Sequence, residues 1–175
     1  MTRSRRPTAM RAVVVLLGLT FATPVLADEL KVGDRIAELD TAVDAGGKSF
    51  KVKPMKGWKM LTFGASWCKP CAKELPAWDK LAPSWKGKVE FIAVDLDSEL
   101  ADGKKFHKKL KLKNMTLVYL SPDSAIAAKY GSDHMPTTVL ADPQGVIRYI
   151  RGGFEKGDVD GEVKKMKETL AKLVK

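Results

Sequence analysis

The chain holds two cysteines, three residues apart in Trp67-Cys68-Lys69-Pro70-Cys71. Residues at that spacing share one face of a helix, a turn apart, where their sulfurs can bond reversibly. Such a bridge is a poor staple, because the loop it closes is tiny and takes little entropy from the unfolded chain. Chemistry explains the pair better. An apolar stretch, Trp58–Gly64, runs into the motif, and a helix is predicted from Pro70 to about Trp85. The unpaired N–H groups and positive dipole end of that helix favour a thiolate on Cys68. Lys69 adds a neighbouring cation, and Pro70 suits a first turn because it needs no N–H partner. Cys71, one turn on and more buried, is placed to attack the Cys68 sulfur. The expected roles are therefore attack on a partner's disulfide by Cys68 and resolution of the mixed disulfide by Cys71.

Two blander readings compete. Half of a zinc site would need two more ligands, and the usual remaining candidates, His107 and His134, lack zinc-finger spacing. An accidental pair of core cysteines is the other. The strand-motif-helix context favours redox chemistry, with no metal and no cofactor expected.

The elements that must hold the motif follow from the pattern. Ala37–Val43 and Lys48–Val52, around Gly46-Gly47, read as a short N-terminal hairpin. Val89–Leu96 is an almost continuous apolar run, as in a parallel strand covered on both faces. Glu99–Leu110 reads as an amphipathic helix, Thr116–Leu120 as a strand, and Pro122–Tyr130 as a short helix opened by proline. Thr137–Ala141 and Val146–Arg151 read as strands joined by a type I turn at Asp142-Pro143-Gln144-Gly145. Asp158–Lys175 closes the chain as an amphipathic helix. The result is an α/β chain with parallel strands first and an antiparallel hairpin last.

Trp67-Cys68-Lys69-Pro70-Cys71 resembles the active site of thioredoxins. Pro76 matches the proline that kinks the first helix of that superfamily, and Met135-Pro136-Thr137-Thr138 is similar to the segment holding its cis-proline. Ala65 through Pro76, with Glu74 three residues after the second cysteine, resembles exported TlpA/ResA-like thiol-disulfide oxidoreductases. So does Tyr130-Gly131 through Thr138, followed by Asp142 to Gly145. The likeness covers roughly residues 31 to 174. It implies a thioredoxin-like fold: a central mixed sheet flanked by helices, with an added N-terminal β-hairpin. It also implies a cis Met135–Pro136 bond, whose exposed backbone pairs with an extended substrate segment as an added strand. Trp67, Met135, Pro136 and Thr137 then bind substrate, while Lys69, Pro70, Pro76 and His134 support the site.

Glu74 lies on the Cys71 face of the helix. It is either a partly buried proton handler for Cys71, as the family is thought to use, or a surface glutamate paired with lysine. Thr62 departs from the pattern, since relatives often carry Asp or Asn there and threonine cannot titrate in this range. His134 departs too, as a residue tuning the thiolate or as an exposed loop histidine. His107, in the lysine-rich helix, reads as solvated.

Residues 1–27 read as a secretory signal peptide, with 28–175 as the thioredoxin-like domain. Arg3, Arg5, Arg6 and Arg11 precede an apolar run from Ala12 to about Ala22, and Val25-Leu26-Ala27 offers a cleavage site. An uncleaved anchor through residues 12–26 is the alternative, although the run falls short of the ~20 residues that span a bilayer. No cysteine stands near the cleavage site, so no lipoprotein is expected. The net charge of +10 falls to +6 once four arginines leave 27 basic against 21 acidic residues. The surplus lysines, densest from Lys104 to Lys113, read as a solvated face rather than a nucleic-acid surface. The expected protein is a periplasmic monomer. It is expected to exchange disulfides with protein substrates as a reductant, with cytochrome c maturation as one setting, and to be recharged by a membrane or periplasmic electron donor. A thiol peroxidase and a non-catalytic binding or chaperone module are the rivals. The first lacks a P-x-x-x-T-x-x-C pattern, and an intact Cys-x-x-Cys opposes the second.

Overall fold

The apolar runs lie side by side in one mixed sheet. The structure, a computed structural model, describes residues 29–36, 39, 42–50, 57–131, 134–153 and 158–175. The proposed signal peptide lies outside them, as does part of each half of the proposed N-terminal hairpin. Strands β1 (Val43–Asp44), β2 (Trp58–Gly64), β3 (Val89–Asp95), β4 (Thr116–Tyr119), β5 (Thr137–Ala141) and β6 (Ile147–Gly152) run in the order β1-β4-β3-β2-β5-β6. Strands β2, β3 and β4 are parallel, while β1, β5 and β6 pair antiparallel with their neighbours. Helices α1 (Cys71–Leu81), α2 (Leu100–Leu110), α3 (Ala125–Lys129) and α4 (Val159–Leu173) cover the sheet.

The faces follow from crossover handedness. The chain steps from β2 to β3 to β4 in one direction, so right-handed crossovers put α1 and α2 on the same face. There Leu75, Trp78 and Phe106 pack with Met60, Phe91 and Leu140, and with Met166 and Leu170 of α4. The opposite face joins Leu61, Phe63, Ile92 and Val118 to Ala127 of α3, Tyr130, and Leu39 and Ala42 of the N-terminal segment. Phe63 and Tyr130 stack there with ring centroids 4.4 Å apart. The central strands are buried on both faces, which is why they read as continuous apolar runs.

Several boundaries differ from the sequence reading. The N-terminal hairpin reduces, among the described residues, to β1 and a bridge from Val43 to Ser49, with β1 added to the β4 edge. The Asp44 carboxylate holds that turn, accepting from the Gly46 and Lys48 amides at 2.7 and 3.0 Å. Helix α1 stops at Leu81 and passes into a 3-10 turn, Ala82–Trp85. Pro83 has no N–H for the Asp79 carbonyl, and that carbonyl accepts from Asn114 Nδ2 instead. Helix α3 starts at Ala125, not Pro122, because the Ser124 hydroxyl caps it by accepting from the Ala127 amide at 3.0 Å.

His107 is the clearest correction. It is 2 % exposed, not solvated. Its Nδ1 lies 3.2 Å from Tyr119 Oη, and its Nε2 lies 3.8 Å from the carboxylate of Asp95. Helix α2 turns Gly103, Phe106 and His107 inward and leaves its lysines outside. Gly103 permits this: a Cβ there would stand 2.1 Å from Asp95 Oδ1 and 3.0 Å from the Tyr119 ring. Glycine to alanine in an open helix adds about 1 kcal/mol of stability. Here Gly103→Ala is expected to lower unfolding free energy by about 1–3 kcal/mol through overpacking. Urea unfolding checks this, and a variant as stable as the parent would refute the close-approach argument.

Candidate active site

Strand β2 delivers the cysteines. Its last residue, Gly64, has no side chain, and a Cβ there would stand 3.1 Å from both the Cβ and Sγ of Cys71. After β2 the chain turns, and the Asp97 carboxylate beyond β3 grips the turn. Its oxygens accept from the Ser66 amide at 3.0 Å and the Ser66 hydroxyl at 2.8 Å. The Cys68 amide then donates to the Ala65 carbonyl at 3.0 Å. The first helical residue is Cys71, preceded by Pro70 already in helical conformation at φ −63° and ψ −36°. Cys68 therefore stands just before the helix, and its Sγ accepts from the Cys71 amide at 3.2 Å. A sulfur in that position receives one of the helix's unpaired N–H groups, which favours negative charge on it.

Cys68 and Cys71 are joined by a disulfide. Cys71 is fully buried and Cys68 is 5 % exposed, while the neighbouring Trp67 is 66 % exposed. Lys69 is exposed, and Pro76 sits half-buried inside α1. Strand β5 runs antiparallel to β2, with Phe63 opposite Thr137 and Thr62 opposite Thr138. That register puts the start of β5 beside the end of β2 that leads to the cysteines. The Met135–Pro136 bond there is cis, as the resemblance implied. Thr137 is buried and donates its hydroxyl to the Gly131 carbonyl at 3.0 Å. Thr62 and Thr138 bond to each other through their hydroxyls at 3.1 Å, inside the sheet.

His134 has an exposed side chain, and its backbone does the work. Its amide donates to the Gly131 carbonyl at 3.0 Å and its carbonyl accepts from the Gly153 amide at 2.7 Å. With Met135, Tyr130 and Ile150 it borders a hollow of about 430 Å³. No bond from its ring to a cysteine accompanies this arrangement among the described residues.

Glu74 is buried, so the surface reading is set aside, and its partner is an arginine. Arg151 of β6 donates Nη2 to Glu74 Oε1, and its Nη1 lies 3.3 Å from Glu162 Oε2 of α4. Glu74 Oε2, Trp78 Nε1 and Arg151 Nε are buried without a partner in hydrogen-bond geometry. Burial pushes Glu74 up to about 7. Arg151 and the nearby Trp78 indole oppose the shift, while Glu162 adds to it. A carboxyl near neutrality, one turn from Cys71, can take or give a proton there. Neither Arg151 nor Asp97 was among the residues singled out from the sequence. Among the described residues no group of three or more His, Cys, Asp or Glu is arranged to hold a metal.

A redox-active cysteine pair at a helix start, beside a cis-proline at the head of the neighbouring strand, defines a thioredoxin-like thiol-disulfide oxidoreductase. The AhpC/TSA family model matches residues 32–150, and the chain belongs to that family. A thiol-disulfide oxidoreductase ResA of Bacillus thuringiensis is 32 % identical over 166 residues, covering 89 % of this chain and 94 % of the relative. Among solved structures, one described as a candidate thiol:disulfide interchange protein DsbE from Chlorobium tepidum has a TM-score of 0.68 at 25 % identity. That match covers 81 % of this chain and 99 % of the other. A peroxiredoxin-like protein from Aquifex aeolicus, at 21 % identity and a TM-score of 0.63, covers 82 % of this chain and 90 % of the other and shares the fold.

Proposed function

We propose that the protein is exported to the periplasm and reduces disulfides in protein substrates. The observation that carries the exchange chemistry is the asymmetry of the pair. Cys68 stands at the helix start with 5 % of its surface exposed and receives the Cys71 amide, while Cys71 has none exposed. The Cys68 thiolate attacks a substrate disulfide and releases one substrate thiolate. Cys71 then attacks Cys68, freeing the second substrate sulfur and leaving the Cys68–Cys71 disulfide. Two electrons pass to the substrate. Glu74 takes the proton of Cys71 as that thiol becomes a nucleophile.

Trp67 and Met135 form the substrate surface, and Pro136 and Thr137, both buried, shape the backbone beneath it. The exposed Trp67 indole supplies apolar contact, and the Met135 backbone supplies strand pairing. Lys69, Pro70 and Pro76 shape the helix start, and His134 braces the cis-proline loop through its backbone. A membrane or periplasmic protein re-reduces the pair. The Arg-rich, apolar N-terminus supports export, either as a cleaved signal or as an anchor through residues 12–26. No helix among the described residues is long and apolar enough to cross a membrane. The similarity to ResA makes apocytochrome c a candidate substrate class.

The family name makes thiol peroxidase the second reading. The residue three before Cys68 is Ala65, where a peroxidatic site would carry threonine, and the Thr62 hydroxyl is spent on Thr138. Equilibration with a dithiothreitol or glutathione buffer tests the direction of electron flow. A reductant should lie below about −180 mV, and a potential well above that range would reverse the assignment to an oxidant or isomerase.

A further inference from the structure

Arg151 forms ion pairs with both the active-site helix and α4. It rises from β6, is mostly buried, and bridges two acids that are each nearly sealed from solvent: Glu74 of α1 and Glu162 of α4. It also donates to the Gly153 carbonyl, just past the end of its own strand, and interacts with Tyr149. The guanidinium presents a rigid fork, so two carboxylates on different helices are held at fixed angles. Glu74 is thereby pinned through Oε1, while its Oε2 is buried, makes no hydrogen bond of good geometry, and has the Trp78 indole as the neighbouring donor. A buried oxygen held by no well-formed bond keeps a lone pair open to a proton.

We propose that Arg151 is a positioning residue for disulfide exchange: by bridging Glu74 to Glu162 it fixes one oxygen of Glu74 and leaves the other to receive the proton of Cys71. This rests on the reading of Glu74 as proton acceptor. In the resolving step the Cys71 S–H bond breaks and its proton goes to Glu74 Oε2. The Cys68–Cys71 bond forms, the bond from Cys68 to the substrate sulfur breaks, and that sulfur leaves as a thiolate. The dithiol is oxidised and the substrate disulfide reduced. Glu74 returns the proton to solvent before the next cycle.

The charges around Glu74 set when this works. On its own helix it stands three residues after Cys71, and the Trp78 indole four residues further on acts on it. From β6 it meets Arg151 and Tyr149, and from α4 it meets Glu162, to which Lys165 is paired at 3.2 Å. Arg151 favours the ionised, proton-accepting form, and Glu162 opposes it both by repulsion and by sharing the guanidinium. The two neighbours therefore act on Glu74 with opposite sign. A bridge serving only to pack α1 against α4 would lose stability when either partner is removed and would give no opposed displacement.

The carboxyl 13C shift of Glu74 in the reduced protein, titrated with pH, reads this directly. Arg151→Gln should raise its midpoint by about 1 unit or more, and Glu162→Gln should lower it. Arg151→Lys should restore most of the parent value, and it carries the test if Arg151→Gln folds poorly. The pH midpoint for resolution of a preformed mixed disulfide, in single turnover, should move in step with each. Two midpoints shifted the same way, or unmoved while stability falls, would overturn the proposal and leave a structural bridge. Glu74→Gln separates the two ideas. If it resolves as fast as the parent at every pH, the proton-acceptor reading fails and the proposal with it. If it is slow while the Arg151 and Glu162 variants show no opposed shifts, Glu74 stands and Arg151 falls.

Discussion

Cys68→Ser is expected to lower insulin disulfide reduction by about a thousandfold or more, the scale of loss when a covalent nucleophile is removed. A serine hydroxyl at the same helix start has too high a pKa to form the attacking anion. The one remaining thiol, Cys71, cannot substitute because it is fully buried. Cys71→Ser should behave differently. Cys68 still attacks, but the mixed disulfide has no internal thiol to resolve it and accumulates. In cells, Cys71→Ser should therefore collect proteins bound through Cys68, visible as adducts that collapse on adding reductant. Their identity reports the substrate class directly, and apocytochromes among them would support a place in haem attachment. Equal insulin reduction by Cys68→Ser and the parent would remove the catalytic assignment. Adducts with Cys68→Ser rather than Cys71→Ser would exchange the two roles.

The parts of this molecule that were legible in the sequence are those set by local pattern. Strands β2, β3 and β5 carry continuous apolar runs because helices cover both faces, and each stands within a residue of its predicted span. The cysteine pair was readable because strand, motif and helix are contiguous. The Asp142–Gly145 turn was readable too. It forms with the Asp142 carboxylate accepting from the Gln144 and Val146 amides, both at 2.9 Å. What escaped depends on long-range placement. Arg151 meets Glu74 across 77 positions, and in sequence it is one more polar residue in an edge strand. Asp79 holds the 113–114 loop from 34 and 35 positions away. His107 stands among lysines, whose long side chains surround it in sequence but point away from the buried face of α2. Gly103, four residues earlier on that face, was the available signal, since a glycine inside a helix marks a close approach. Asp97 was hidden for a similar reason: its use lies in gripping Ser66, 31 residues back.

The buried cluster near His107 should make stability fall as pH rises through neutrality. Asp95 is 2 % exposed, and burial pushes it from 3.8 to about 7, outweighing the Asp97 amide that favours the charged form. The folded protein holds that proton where the unfolded chain has released it. The resulting stability is therefore complete below about pH 4 and disappears as pH climbs through 7. Glu74 acts with the same sign between 4.5 and about 7. His107 opposes them: burial lowers it from 6.5 to about 4, so the unfolded chain binds the extra proton and stability rises with pH in that window. Two acids outweigh one imidazole, and the net slope is downward up to about pH 7.5. The charge on Asp95 is the largest single cost at pH 8, where its Oδ2 has no hydrogen-bond partner. Asp95→Asn keeps the shape and the acceptor for the Asp97 amide without the charge. A shift of that size corresponds to about 4 kcal/mol at 1.36 kcal/mol per unit. The substitution should therefore stabilise the oxidised protein at pH 8 by about 2–4 kcal/mol, allowing for imperfect hydrogen bonding of the new amide, with little effect at pH 4.5. Urea unfolding at both pH values decides the matter. A difference between variant and parent that is the same at pH 4.5 and pH 8 would show that Asp95 does not carry the shifted proton.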